Sequence, residues 1–183
     1  MRIIGGRLKG KTVNPPAGYK ARPTTDFAKE GLFNTLDNEF FFDDLAVLDL
    51  FGGTGSIAFE FASRGAGQVI SVEMNPVNAA FIKKTAASLG LSQTVQVVHH
   101  NVFDFLQICT RRFDIVFADP PYALEGLDTL PDRILEKGLV FPEGYLVLEH
   151  PGEYNFAAHP SFVKEKKYGN VHFSYFRPLQ AGN

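Results

Sequence analysis

Two rhythms of apolar residues alternate along the chain. Short, nearly continuous apolar runs at 46–50, 68–73, 95–98, 113–118 and 144–149 predict strands covered on both faces. Between them, apolar residues recur three or four apart at 55–63, 76–89, 102–108 and 126–137, which predicts helices. Pro76 suits a first helical turn, Gly90 a stop, and Pro131 starts or kinks its helix. Two last strands, 163–168 and 171–177, flank the tight-turn dipeptide Gly169-Asn170. At the other end, residues 2–13 read as a hairpin bending at Gly5, Gly6 and Gly10. Thr and Asp of Thr24-Thr25-Asp26 are placed to cap a helix over 26–38 with Ala28, Leu32, Phe33 and Leu36 on one face.

Alternating strands and helices imply an α/β fold, a mostly parallel sheet with helices on both faces. The closing hairpin adds antiparallel strands, for seven in all. We expect two units, a basic hairpin with a capping helix over 1–40 and the α/β body over 41–183. Ligands in such sheets sit at the carboxyl ends of the strands, where the strand order reverses. The chemistry is therefore sought there.

A chain of 183 residues with 45% hydrophobic and 21% charged residues is ordinary for a globular protein. No apolar run is long enough for a bilayer, and the opening stretch is too short for a signal peptide. A cytoplasmic protein without a membrane partner is expected. Cys109, the sole cysteine, lies in an apolar helical pattern and reads as a buried structural thiol. The net charge of -2 hides an asymmetry, for Arg2, Arg7, Lys9, Lys11, Lys20 and Arg22 face no acid within the first 25 residues. A basic leader on an acidic body suits a polyanion docked at one end, and equally a solvated tail.

The first strand runs into Asp49-Leu50-Phe51-Gly52-Gly53-Thr54-Gly55-Ser56. Glycines let a backbone turn sharply and approach a ligand. Glu73, at the end of the second strand, is placed to accept ribose hydroxyls as in dinucleotide folds. Asp49 would repel a pyrophosphate but suits an ammonium or a sulfonium, and S-adenosylmethionine carries both. Asn101 lies where a side chain could meet the adenine edge, and it can also cap the next helix.

The fourth strand ends in Asp119-Pro120-Pro121-Tyr122, the most specific signal in the chain. It implies a planar aromatic amine as acceptor, whose lone pair is delocalised into its ring. Asp119 and the Pro120 carbonyl can each accept one amino N–H, Pro121 helps fix the backbone, and Tyr122 offers a stacking face. His99-His100 shows no third ligand at metal spacing, so no metal is expected. His150 reads as a strand-end residue, and the phenylalanines mostly as core.

Arg22-Pro23-Thr24-Thr25-Asp26 and Lys29-Glu30-Gly31-Leu32-Phe33-Asn34, together with the glycine loop and Asp119-Pro120-Pro121-Tyr122, resemble the RsmD family over essentially the whole chain. These are bacterial 16S rRNA guanine-N2 methyltransferases. The resemblance implies a class I, Rossmann-like methyltransferase fold. It implies S-adenosylmethionine as donor and one guanine of the small ribosomal subunit, or its assembly intermediate, as acceptor. Carried over by position, Asp49, Phe51, Gly53 and Gly55 match the donor loop, and Glu73 the ribose acid. Arg22, Thr24 and Asp26 match the segment that folds over the donor, and Asp119 to Tyr122 the catalytic motif. Arg2, Arg7, Lys9 and Lys11 are the candidate RNA contacts, and the protein is expected to act as a monomer. Asn101 stands where relatives usually carry Asp, and Phe27 where many carry Arg. An adenine-N6 methyltransferase, a non-catalytic ribosome-assembly factor and a nicotinamide dehydrogenase are the competing readings. The small leader leaves little room for a segment that opens duplex DNA, Asp119 and Tyr122 argue against an inactive protein, and Asp49 argues against a dehydrogenase.

Overall fold

The computed structural model describes residues 1–16 and 25–179. The chain runs α1 (Asp26–Asp37), β1 (Ala46–Leu50), α2 (Ser56–Ser63), β2 (Gln68–Glu73), α3 (Pro76–Ser88), β3 (Val95–His99), α4 (Val102–Ile108) and β4 (Phe113–Ala118). It continues with α5 (Leu130–Glu136), β5 (Val140–His150), β6 (Phe162–Tyr168) and β7 (Val171–Phe176). Seven strands form one sheet in the order β3-β2-β1-β4-β5-β7-β6. β1 to β5 are mutually parallel, and β7 lies antiparallel between β5 and β6. The α/β architecture and its antiparallel C-terminal pair are as the apolar pattern predicts.

Strand side chains alternate between faces, and two apolar cores result. Val47, Val69, Ile115, Phe117 and Val147 point toward α1, α2 and α3, where Phe33, Phe59 and Ile82 meet them. Leu48, Ile70, Val116, Leu146 and Leu148 fill the opposite face with Phe105, Leu130 and Ile134 of α4 and α5. The order reverses between β1 and β4, because β2 and β3 build outward on one side of β1 and the later strands on the other. Leu50 pairs with Ala118 there, so the loops after both strands open side by side.

Three elements differ from expectation. The N-terminal hairpin keeps its fold-back, with Ile3 donating to the Lys11 carbonyl at 2.9 Å, but only one bridge, Arg2 to Thr12, forms, around a 3-10 turn at Gly6–Leu8. The cause is packing on α2: at Gly6, with φ of +69°, any Cβ would overlap the Ser63 carbonyl. β5 begins at Val140 instead of residue 144, entering through an irregularity between Phe113 and Ile115. Gly144 permits this, since a side chain there would strike the Asp114 carbonyl. Cys109 is the C-cap of α4 and half-buried, short of the full burial its apolar neighbours suggested. Pro131 does start a helix, α5, after a 3-10 turn at Leu127–Thr129.

A buried charge network fastens the hairpin to the body. Lys29 of α1 lies 3.6 Å from Glu60 of α2, and both are fully buried. Lys29 also donates to the Arg2 carbonyl and to Ser56 Oγ. Glu60 accepts the Ile4 amide at 2.9 Å and Arg64 Nε at 3.0 Å. Burial pulls the Lys29 ammonium below its ordinary pKa, with Glu60 opposing the shift. No helix among the described residues is long and apolar enough to cross a membrane.

Candidate active site

A cavity of about 570 Å³ opens at the carboxyl ends of β1, β2, β4 and β5. Its floor is the glycine loop. Phe51 and Gly53 adopt positive φ (66° and 57°), and Gly55, at 80°, is the N-cap of α2. Gly52 hands its amide to the Val72 carbonyl at 2.8 Å. A Cβ on Gly52 would overlap Ser71 Oγ, the hydroxyl that donates to Asp49 at 3.2 Å. The smallest residue therefore keeps that hydrogen bond intact.

Asp49, 1% exposed, is drawn out of water at the end of β1. Burial raises its carboxyl to about 7, the charge of Glu73 adds to the rise, and bonds from Ser71 and the Ala58 amide oppose it. An acid held this far up favours any cation placed beside it. Glu73 ends β2 and accepts two backbone amides at 2.7 Å each, from Gly53 and Asn75. Asn75 and Asn101 cap α3 and α4, the latter by accepting the Phe103 amide at 2.8 Å while lining the cavity. Both roles considered for Asn101 are thus compatible.

Beside the start of the loop, Asp119 follows β4, its amide directed at the Leu50 carbonyl at 3.4 Å. Burial pushes the Asp119 carboxyl well above the usual carboxylate range, and the charges of Glu149 and Asp49 push it further. Pro120, Pro121 and Tyr122 continue along the wall, and the Tyr122 hydroxyl donates to Glu149 Oε1 at 3.1 Å. Tyr122 is 40% exposed, enough to present a ring face to an entering ligand. A sulfonium nucleoside fits this set of groups: a buried acid among other acids for positive charge, a second acid with two oxygens for a diol, glycine backbone for close approach.

Most of the predicted site residues meet in this one cavity: Asp49, Phe51, Gly53, Glu73, Asn101 and Asp119 to Tyr122 line it, and Gly55 caps the adjoining helix. Arg22 and Thr24 lie outside the described residues. Arg2, Arg7, Lys9 and Lys11 stand apart on the hairpin, exposed, with Arg2 paired to Asp26 at 3.0 Å. Sequence reasoning passed over Glu149, and it did not bring Asn170 and Val171 of the β6–β7 turn to the cavity wall. An acid at the end of a fifth parallel strand was the available signal for Glu149.

One His/Glu group among the described residues, His150, Glu165 and His172, comes within 4.8 Å. Its members already hold partners: His150 Nε2 meets Ser174 Oγ at 2.8 Å, and His172 Nδ1 meets Glu165 at 3.1 Å. Lys167 lies 3.1 Å from the same carboxylate. These contacts staple β5, β7 and β6 together, and they place His150, a strand-end residue as expected, in the interior.

The family model described as Conserved hypothetical protein 95 matches residues 1–177. Ribosomal RNA small subunit methyltransferase D of Escherichia coli K12 is 30% identical over 97% of this chain and 89% of its own length. YlbH of Bacillus subtilis is 34% identical across 84% of each chain. Among solved structures, a hypothetical protein of Thermus thermophilus superposes with a TM-score of 0.85 at 29% identity, covering 97% of this chain and 99% of that one. A match that begins in the first hairpin and ends past the last strand makes the chain a member of the RsmD family of S-adenosylmethionine-dependent methyltransferases.

Proposed function

We propose that the protein methylates the exocyclic N2 of one guanine in 16S rRNA, within the small ribosomal subunit or an assembly intermediate of it. The observation that carries the proposal is that Asp119-Pro120-Pro121-Tyr122 lines the same cavity as Asp49 and Glu73. The small-subunit rRNA methyltransferase name of the Escherichia coli relative supports the substrate class.

Asp49 and Glu73 would hold the donor, the first near its positive end and the second at its ribose, with Asn101 beside the adenine and Arg22 and Thr24 as further donor-binding residues. S-adenosylmethionine, when bound, supplies a methyl group made electrophilic by a sulfonium. Asp119 and the Pro120 carbonyl accept the two amino hydrogens, turning the N2 lone pair out of the ring plane and toward the methyl carbon. Transfer would exchange the donor's C–S bond for the new N–C bond and leave the donor as a neutral thioether. The nitrogen then sheds one proton to a neighbouring carboxylate or to water. Alignment supplies most of the acceleration, for which effective molarities account for roughly 7–11 kcal/mol. The target base must leave its stack to reach the cavity, which an unpaired RNA loop makes cheap. Residues 1–40 serve as the RNA-facing unit, with Arg7, Lys9 and Lys11 on phosphates, and a single chain suffices for catalysis.

The test uses small subunits from a strain lacking this protein, the purified enzyme and methyl-labelled S-adenosylmethionine. The rRNA is digested and the labelled nucleoside identified by mass spectrometry. N2-methylguanosine is the expected product. N6-methyladenosine would overturn the choice of base, and an unlabelled particle the choice of substrate.

A further inference from the structure

We infer that Glu149 is a specificity-determining residue that identifies the target as guanine by accepting its N1–H, next to the amino group held by Asp119. The inference rests on the guanine-N2 reading above.

The sheet puts the two acids together. β4 and β5 are parallel with Ala118 opposite Leu148, so the next residue on each strand, Asp119 and Glu149, emerges at the same level. Both line the cavity, and Glu149 is only 5% exposed. Their proximity is also felt electrically, since Glu149 is the largest charge acting on Asp119. Two neighbouring carboxylates withdrawn from water repel each other, and the arrangement is relieved by a ligand that offers a hydrogen to each. Tyr122 spends its hydroxyl on Glu149 Oε1, which steadies that carboxylate at the wall and leaves the tyrosine ring to face the base.

Guanine is the purine whose edge meets this demand. Its N1–H and N2 amino group are adjacent donors on one side of the ring. With N2 toward Asp119, N1–H falls toward the neighbouring strand, where Glu149 stands. 2-Aminopurine keeps the 2-amino group but has a bare N1, so its lone pair would oppose the Glu149 carboxylate. O6-methylguanine likewise lacks the N1 hydrogen while keeping the oxygen. Facing a carboxylate with a lone pair in place of N1–H is a strong means of rejection: sites built to hydrogen-bond one group discriminate against analogues lacking it by as much as about 10⁴-fold or more.

The experiment compares small subunits assembled on rRNA carrying guanosine, 2-aminopurine riboside or O6-methylguanosine at the mapped target. Methyl transfer is read as kcat/KM for wild-type protein and for Glu149→Gln. Wild type is expected to favour guanosine over both analogues by about 10²-fold or more. In Glu149→Gln the carboxamide can donate to a bare N1, so the preference is expected to shrink below about tenfold while the rate on guanosine falls. Equal wild-type rates on all three bases would overturn the role of Glu149, and this arm needs no variant to fold. A slower Glu149→Gln enzyme with an unchanged preference would overturn it too, leaving the residue a support for Tyr122. If wild type forms no N2-methylguanosine on the natural base, the guanine-N2 reading itself fails, and the inference with it.

Discussion

Glu73 accepts the amide of Gly53 at 2.7 Å, so the acid proposed for the donor's ribose also fastens the glycine loop to β2. Replacing it removes a ligand contact and a brace together. Glu73→Ala is expected to weaken S-adenosylmethionine binding at least tenfold by calorimetric titration, since charge-assisted hydrogen bonds contribute about 1.5–3 kcal/mol each. Turnover at saturating donor should stay within a few-fold of wild type. Unchanged affinity would remove Glu73 from the donor site.

Asp119→Ala should separate binding from chemistry in the opposite sense. Donor affinity is expected to hold within a few-fold, while single-turnover methyl transfer drops by about 10²-fold or more, because the target amine loses an acceptor aligned only near the transition state. Near-normal transfer on the true substrate would mean that another group orients the nitrogen.

Asp49, raised to about 7 by burial, gives donor binding a pH dependence. A cation binds better to the ionised acid, so affinity should rise with pH and level off above 7, gaining about eightfold between pH 6 and 7.5. Folding responds with the opposite sign. The folded pKa lies above the unfolded one, so the contribution of Asp49 to stability is fully present below about pH 4 and is lost as pH climbs to 7. Asp49→Asn should flatten the binding profile and, without donor, raise the melting temperature at pH 8 by a few degrees. A variant that keeps the wild-type pH profile would exclude Asp49 as the titrating group.

Arg7, Lys9 and Lys11 are exposed on the hairpin and outside the cavity. Reversing all three to Glu should weaken binding to the small subunit at least tenfold in low salt. Each phosphate contact contributes about 0.7 to 0.9 to the slope of log affinity against log salt, so losing three should lower the slope by about two to three. Donor affinity should be untouched. An unaltered salt slope would move the RNA contacts elsewhere.

What was legible in the sequence was local. β1, β2 and β4 are nearly continuous apolar runs, and the acids near the end of the first, at the end of the second and just past the third located Asp49, Glu73 and Asp119. Features decided by distant pairings were hidden. The start of β5 depends on Gly144 passing the Asp114 carbonyl, a contact that no rhythm within either segment announces. Lys29 and Glu60 look like surface charges on their helices until α1 and α2 pack together around them. Glu149 offered only the signal of an acid near a strand end, and its nearness to Asp119 comes from the register that sets Ala118 opposite Leu148.

The place of β7 between β5 and β6 has a bearing on how the molecule is made. Synthesis delivers β1, β2 and β3 first, so the donor half of the sheet can settle while the chain is still growing. β6 emerges with no strand to lean on and must wait for β7, the last to arrive, to slide in beside β5. The wall formed by Asn170 and Val171 is finished at the same moment. A chain shortened ahead of Val171 would therefore forfeit two strands instead of one.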